Sequence, residues 1–297
     1  MAAGSPHRRA GQPITDPFAT AWLVEDDPLR AIQVGGPLRG LPGTGFADGI
    51  QRWMVEGHFG LAPVVRAYVA AAVLTRRDGS LVMAAEEHEE FIVVPGERLT
   101  TEQRDALDRV GLPVYESDTS ARVHPLVDQY AAARIVETRR ETAERKTVRR
   151  FVDAEPTSWL VMDGSVGHLT GGPGAERVIG LVKSHETQYL EGADLLTALT
   201  LREGCRSSVF ERSRAGGTPV YSWYLRLWPW TERDLLHGLT RLERWADRTT
   251  LEEATLVSRW MLGERAPIST PDASWDRLIY PIHHVETYLR ARMGGWS

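Results

Sequence analysis

Apolar residues along the chain recur in patterns that predict a run of strands before the first long helix. The segments 46–59, 63–75 and 80–94 are rich in β-branched, aromatic and alternating apolar residues, which is typical of strands. Asp78 and Gly79 separate the second segment from the third, and Asp-Gly is the preferred pair where both hairpin residues need positive φ. The pattern predicts three antiparallel strands.

Helical and short apolar segments follow. Thr100 with an acidic first turn predicts a helix that ends near Gly111. The segment 125–151 has no glycine and no proline after its first residue, which indicates one long helix laced with arginine and glutamate. The apolar runs 159–162 and 178–183 are typical of buried strands.

The last third of the chain continues this mixture. The segment 221–227 alternates like a half-buried strand, and helices are expected at 235–245, 252–262 and 281–293. Hairpin-linked strands, then a helix, two strands and more helices are the element order of the RNase H-like fold. We therefore expect an α/β fold: an RNase H-like mixed sheet, with three antiparallel strands and then helix-linked parallel strands, flanked by helices.

Length and local composition predict one main domain with a lead-in. Residues 1–44 are rich in Pro and Gly, and we expect an N-terminal arm or loosely packed lead-in there. Residues 45–297 are expected to form the domain, since α/β folds of this size often keep a single core.

Composition narrows the class of protein. Hydrophobic residues make up 42% and charged residues 25% of the chain, close to globular averages. No apolar stretch is long enough to span a membrane, and no signal-peptide pattern follows Met1. Cys205 is the lone cysteine, so an internal disulfide is excluded and a cytoplasmic location is expected.

The formal net charge of −5 excludes a surface that is basic throughout, as is usual in domains that bind DNA on their own. A local basic groove is still compatible with this charge. Nucleic acid therefore stays among the possible ligands.

Several carboxylates occupy positions in the predicted elements where they could take part in catalysis. Asp48 lies within the first predicted strand, where an unpaired carboxylate is costly unless it meets a cation. Asp163 follows a buried strand, at the end where open α/β sheets carry their sites. Glu137, Glu141 and Glu144 share one face of the long helix. Alternatively, both aspartates are turn residues before glycine, and the glutamates belong to a solvated helix face.

Clustered carboxylates repel one another unless a hard cation such as Mg²⁺ or Mn²⁺ neutralises them. Two such ions about 4 Å apart activate water and stabilise the leaving oxygen of a phosphodiester. Hydrolysis of nucleic acid is the reaction that this arrangement favours.

Five short segments resemble, in order, the motifs of NurA-type nucleases: 46–49 (FADG), 141–144 (ETAE), 161–165 (VMDGS), 179–185 (IGLVKSH) and 280–286 (YPIHHVE). The resemblance implies an RNase H-like core, Mn²⁺ or Mg²⁺ as cofactor, and DNA degradation by a homodimer. It also implies work with a HerA-type hexameric ATPase, in DNA end processing or phage defence.

The same resemblance assigns roles to individual residues. Asp48 and Asp163 match the metal ligands of the first and fourth strands, and Glu144 matches the helix glutamate, with Glu141 as its alternative. Lys183 matches a lysine after the fifth strand, where a cation could touch a phosphate. His185, just beyond, is a further candidate.

The C-terminal motif departs from the family pattern. Tyr280 is followed by His283, His284 and Glu286, and none has the usual spacing from the tyrosine. The fourth ligand is therefore left open, and the histidines could simply cap the last helix. Two other hypotheses also remain. The protein could be a non-catalytic adaptor that has the same fold and binds an ATPase, or it could be an unrelated metal-dependent phosphoesterase.

Overall fold

The computed structural model describes residues 19–38, 43–77, 80–119, 123–169, 174–212, 219–265 and 279–293. The predicted turn at Asp78 and Gly79 lies outside these ranges. No helix within them combines the length and low polarity that a membrane crossing requires.

The described strands, in chain order, are β1 (Ala21–Leu23), β2 (Ala31–Gln33), β3 (Gly45–Phe59), β4 (Ala62–Arg77), β5 (Ser80–Val94), β6 (Val114–Glu116), β7 (Leu160–Asp163), β8 (Val178–Val182), β9 (Cys205–Ser207), β10 (Phe210–Arg212), β11 (Val220–Arg226) and β12 (Leu239–Trp245). The described helices are α1 (Thr101–Asp108), α2 (Pro125–Ala154), α3 (Gly192–Leu199), α4 (Arg248–Glu264) and α5 (Tyr280–Arg292).

The strands form one mixed sheet in the order β1-β10-β11-β12-β8-β7-β3-β4-β5-β6, with β9 paired to β11 and β2 to β9. Strand β4 is antiparallel to both β3 and β5, as predicted. Strand β7 is parallel to β3, and β8 is parallel to β7. A mixed sheet flanked by helices is therefore confirmed.

Local signals explain the helix ends. Thr100 and Gln103 form a reciprocal capping box at the start of α1. The His124 side chain accepts a hydrogen bond from the Leu126 amide at the start of α2, where Pro125 lacks an amide hydrogen that would otherwise be unpaired. Both helices begin where the sequence predicts.

The sheet separates two apolar layers. Helix α2 packs on one face, where Val148 and Phe151 meet Ala47 and Met162. Helices α4 and α5 cover the other face, together with the side chains of Phe46 and Ile50 and the fully buried Trp223. Because strand side chains alternate between faces, odd and even positions of β3 belong to different layers.

The segment 235–245 was predicted to be helical, and this prediction is wrong. Its second half is β12, which pairs antiparallel with both β11 and β8. The residues of β12 from 239 to 244 are all buried, so both faces of the strand are covered and its apolar residues show no clear alternation. Periodicity alone does not separate such a strand from a buried helix.

Part of the predicted lead-in belongs to the sheet. Strand β1 pairs with β10 and β2 pairs with β9, each over three residues. Leu29 and Val34 are buried. The partner strands are about 180 residues away in sequence, as in the pair Ala31 and Ser207. Strands of three residues are also too short to show a hydrophobic pattern, so no signal in the sequence predicted them. The part from 21 to 34 is therefore packed rather than loose.

Candidate active site

Asp48 and Asp163 lie on neighbouring strands at matching heights. Ala47 of β3 pairs with Met162 of β7 in parallel register, and each aspartate is the next residue along its strand. Both therefore point to the same face, one strand spacing of about 4.8 Å apart. The fold thus brings together two carboxylates that are 115 positions apart in the sequence (163 − 48).

Lys183 supplies a positive charge on this face. Asp163 is opposite Leu181 in β8, and Lys183 lies two residues beyond Leu181, so alternation gives its side chain the same direction. Its Nζ atom is 2.6 Å from Oδ2 of Asp163. The two side chains remain 25% and 23% exposed, so the pair is partly accessible to solvent.

The charges of this group depend on one another. Burial, with the nearby charges of Asp163 and Glu144, raises the pKa of Asp48 well above its usual value, although Lys183 and a hydrogen bond from the Gly49 amide oppose this. Burial lowers the pKa of Lys183, but the neighbouring carboxylates outweigh burial, and this pKa is raised. The ionised form of Asp48 is therefore disfavoured in the folded protein, and a bound cation would stabilise it.

Glu144 reaches the same region from the other side of the sheet, because α2 packs on the face opposite α5. A Cβ atom at Gly49 would overlap the Glu144 carboxylate, so the missing side chain makes room for it. Asp48, Glu144 and Asp163 all line one small pocket at this point.

Arg140, one turn earlier on α2, forms an ion pair with Glu144 and also donates to Gln51 on β3. Burial nevertheless raises the pKa of Glu144 to about 7, with Asp163 and Glu141 adding to the shift and Arg140 opposing it. The net shift of this pKa is upward because the desolvation of an almost fully buried carboxylate outweighs the attraction of a single arginine.

Within the described ranges, no group of three or more His, Cys, Asp or Glu side chains is arranged to hold a metal ion. The carboxylates are instead neutralised by Lys183 and Arg140. In ligand type the group suits a hard cation, since all its donors are oxygens.

The remaining predicted residues divide into two sets. Glu141 is close enough to raise the pKa of Glu144, and Glu286 on α5 raises that of Lys183; Glu286 also pairs with Arg290. The ring of His185, in contrast, stacks on that of Tyr224, with ring centroids 6.1 Å apart. Its Nε2 atom lies 3.1 Å from the Leu239 carbonyl oxygen.

Tyr280 and His284 form an edge-to-face contact with ring centroids 4.4 Å apart at the start of α5. Burial and the nearby His283 lower the pKa of His284. A neutral imidazole is therefore favoured at neutral pH.

Sequence reasoning missed Arg140 and the buried charges around Glu243 of β12. The spacing of four between Arg140 and Glu144 is the one signal that could have revealed their pairing. Arg212 and Arg241 both form ion pairs with Glu243. Residues two positions apart, such as Arg241 and Glu243, point to the same face in a strand but to different sides in a helix. The helix predicted over β12 therefore concealed that these two side chains are neighbours.

No protein-family model matches the chain, and no curated protein does. Among solved structures, the NurA nuclease from Sulfolobus solfataricus is similar, with a TM-score of 0.50 and 9% sequence identity. The similarity covers 91% of this chain and 82% of that one. Since fold is retained at identities where sequence comparison fails, the chain has a NurA-like fold.

Proposed function

We propose that this protein is a metal-dependent nuclease that hydrolyses DNA phosphodiester bonds with an RNase H-like core. The observation that carries the proposal is the pair Asp48 and Asp163, side by side on β3 and β7 with Lys183 against them. The NurA-like fold around this pair supports the same reaction.

The cofactor would be Mn²⁺ or Mg²⁺. The pKa of Asp48 is raised first by burial and then by the nearby carboxylates, and a divalent cation would stabilise the ionised form of a carboxyl group in such a place. Asp48 and Asp163 would hold the ion, with Glu144 from α2 as a further ligand and Glu141 or Glu286 as alternatives. When bound, the metal would activate water and stabilise the developing charge on phosphate oxygens.

The chain's own groups would orient the substrate. Lys183 is positioned to donate hydrogen bonds to a phosphate oxygen once another cation satisfies Asp163. His284, favoured in its neutral form, could accept a proton near the start of α5. The negative charge of Glu286 would help to keep Lys183 protonated.

The test is incubation of the purified protein with end-labelled single- and double-stranded DNA, with Mn²⁺, with Mg²⁺ or with chelator. We expect metal-dependent release of fragments, and loss of at least a hundredfold in rate for Asp48→Asn and for Asp163→Asn. Asp153→Asn is the matched control, because Asp153 is an exposed α2 residue whose partner is Arg149. Intact DNA under every metal condition would refute the proposal.

A homodimer and a HerA-type ATPase are the partners that we propose, acting in the cytoplasm in DNA end processing or phage defence. The net charge of −5 supports a partner that keeps the protein on DNA. Sedimentation of the protein alone and with such an ATPase tests both associations. Stable binding to the ATPase without any cleavage would instead support the adaptor function.

A further inference from the structure

The turn that follows Asp163 is held tightly against β8. Gly164 has a φ of 99°, and its amide donates to the Leu181 carbonyl oxygen at 2.9 Å. A Cβ atom at Gly180 would lie 2.6 Å from the Gly164 carbonyl oxygen and 3.0 Å from the Val166 nitrogen. The turn therefore packs directly on the backbone of β8, and only glycine at 180 permits this distance.

A buried carboxylate anchors the same turn from the far side of β8. Oε2 of Glu243 on β12 accepts a hydrogen bond from the Val166 amide at 3.2 Å. The same oxygen accepts from Nη2 of Arg212 on β10 at 2.6 Å. Glu243 thus connects two strands to the residues that immediately follow Asp163.

Arg212 makes a second connection. Its Nη2 atom donates to Oγ of Ser165 at 2.6 Å, and Ser165 Oγ accepts from the Gly167 amide at 3.0 Å. The ion pairs of Glu243 with Arg212 and with Arg241 complete the group. Three charged side chains are therefore committed to the surroundings of one short turn.

Stability alone does not account for this arrangement. The Glu243 side chain is fully buried, and burying ions carries a desolvation cost that apolar side chains of similar volume avoid. Burial raises the pKa of Glu243, but Arg241 and Arg212 lower it more, so the carboxylate is ionised. Apolar side chains could not supply the hydrogen bond that Arg212 donates to Ser165 or the one that Glu243 accepts from the Val166 amide.

We propose that Arg212 and Glu243 are positioning residues, which hold the 164–167 turn so that the Asp163 carboxylate stays between Asp48 and Lys183. The proposal rests on the nuclease function proposed above. It goes further because it assigns a role in catalysis to side chains that do not face the pocket.

The test compares Arg212→Met, Arg212→Lys and Ser165→Ala with Arg206→Met. Arg206 is the matched control: it is also buried in a strand and pairs with a glutamate, Glu25, but on β9, away from the turn. Ser165→Ala leaves Arg212 and Glu243 in place and removes the hydroxyl that accepts from both Arg212 and the Gly167 amide, so the test stays valid if Arg212→Met unfolds. Because the Gly167 amide loses its own acceptor in this variant, exchange at 166 is its readout. Amide hydrogen exchange reports on the turn itself.

A second measurement reports on Asp163 without any cleavage assay. The chain has two lysines, Lys146 and Lys183, so lysine-labelled protein gives two side-chain NMR signals. Lys146 is exposed and serves as an internal reference. The signal of Lys183 depends on its contact with Asp163.

We expect at least tenfold faster exchange at 166 and 167 in Arg212→Met, and at 166 in Ser165→Ala. Both variants should move the Lys183 signal toward that of Lys146. The kcat for DNA should fall at least tenfold with KM little changed, and Arg212→Lys should restore part of each effect. Arg206→Met should change none of the three.

Unchanged exchange and an unchanged Lys183 signal in Arg212→Met and Ser165→Ala would overturn the proposal. A mobile turn with full kcat would overturn it as well. If the wild-type protein does not cleave DNA, the nuclease proposal fails, while exchange and the Lys183 signal still decide whether the turn holds Asp163.

Discussion

The Nζ atom of Lys183 lies 2.6 Å from Oδ2 of Asp163, and about three quarters of each side chain is buried. Asp48 is beside this pair on the adjacent strand. A single lysine therefore neutralises a site with two aspartates, and a divalent cation would compete with it for the same oxygens.

Lys183→Met should destabilise the protein in the presence of chelator by about 1 to 3 kcal/mol, because the two aspartates then face each other unneutralised. Added Mn²⁺ should recover most of this loss, and should raise the Tm of the variant more than that of the wild type. Lys146→Met is the control, since Lys146 is exposed. Equal Mn²⁺ shifts in variant and wild type would contradict the prediction.

Asp48→Asn should stabilise the metal-free protein at alkaline pH, on the order of 1 to 3 kcal/mol, while it abolishes cleavage. A raised pKa means that the ionised carboxylate is disfavoured in the folded state. The gain is therefore present at alkaline pH and shrinks as pH falls toward 3.8, the ordinary value, because the wild-type carboxyl takes up a proton. Denaturant unfolding at several pH values measures it. A destabilised variant at alkaline pH would show that Asp48 is well paired instead.

Gly49→Ala should cost about 1 to 3 kcal/mol of unfolding free energy, because the new methyl group meets the Glu144 carboxylate. Gly57→Ala on the same strand is the control, since a Cβ there has no neighbour within 4 Å. In a Glu144→Ala background the cost of Gly49→Ala should fall toward that of the control. Additive effects in this double-mutant cycle would mean that the two residues are not in contact.

Glu243→Gln should destabilise the protein by about 3 kcal/mol at neutral pH, because Arg212 and Arg241 lose their buried counter-charge. The pKa of Glu243 is lowered in the folded state, so its contribution is complete above 4.5, the ordinary value, and is lost as pH falls through the lowered pKa. The difference between variant and wild type should accordingly narrow in acid. A difference that is constant with pH would mean that Glu243 is not ionised.

Local patterns were sufficient for much of the central part of the fold. The β-branched and aromatic residues of β3 and β5, the cap at Thr100 and the uninterrupted run of α2 are each local features of the sequence. Asp48 and Asp163 could be placed on strands for the same reason. Their proximity was implied only by the resemblance to NurA-type nucleases, and its structural basis is the parallel pairing of β7 with β3.

Strand β12 shows where local reasoning stopped. Its residues pair with β11 on one side and β8 on the other, and both faces are covered. Burial on all sides removes the alternation that distinguishes a strand, so the charged residues Arg241 and Glu243 were not recognised as a buried network.

By itself the sequence determined the central hairpins, the long helix and the strand positions of both aspartates, because hydrogen-bond periodicity, capping and turn preferences act over a few residues. Only the tertiary structure decided that Glu144 approaches from the opposite side of the sheet, that Lys183 meets Asp163, and that Glu243 holds the turn beside it. Those relationships depend on the face on which each helix packs and on pairing between distant strands, and no local preference encodes either one.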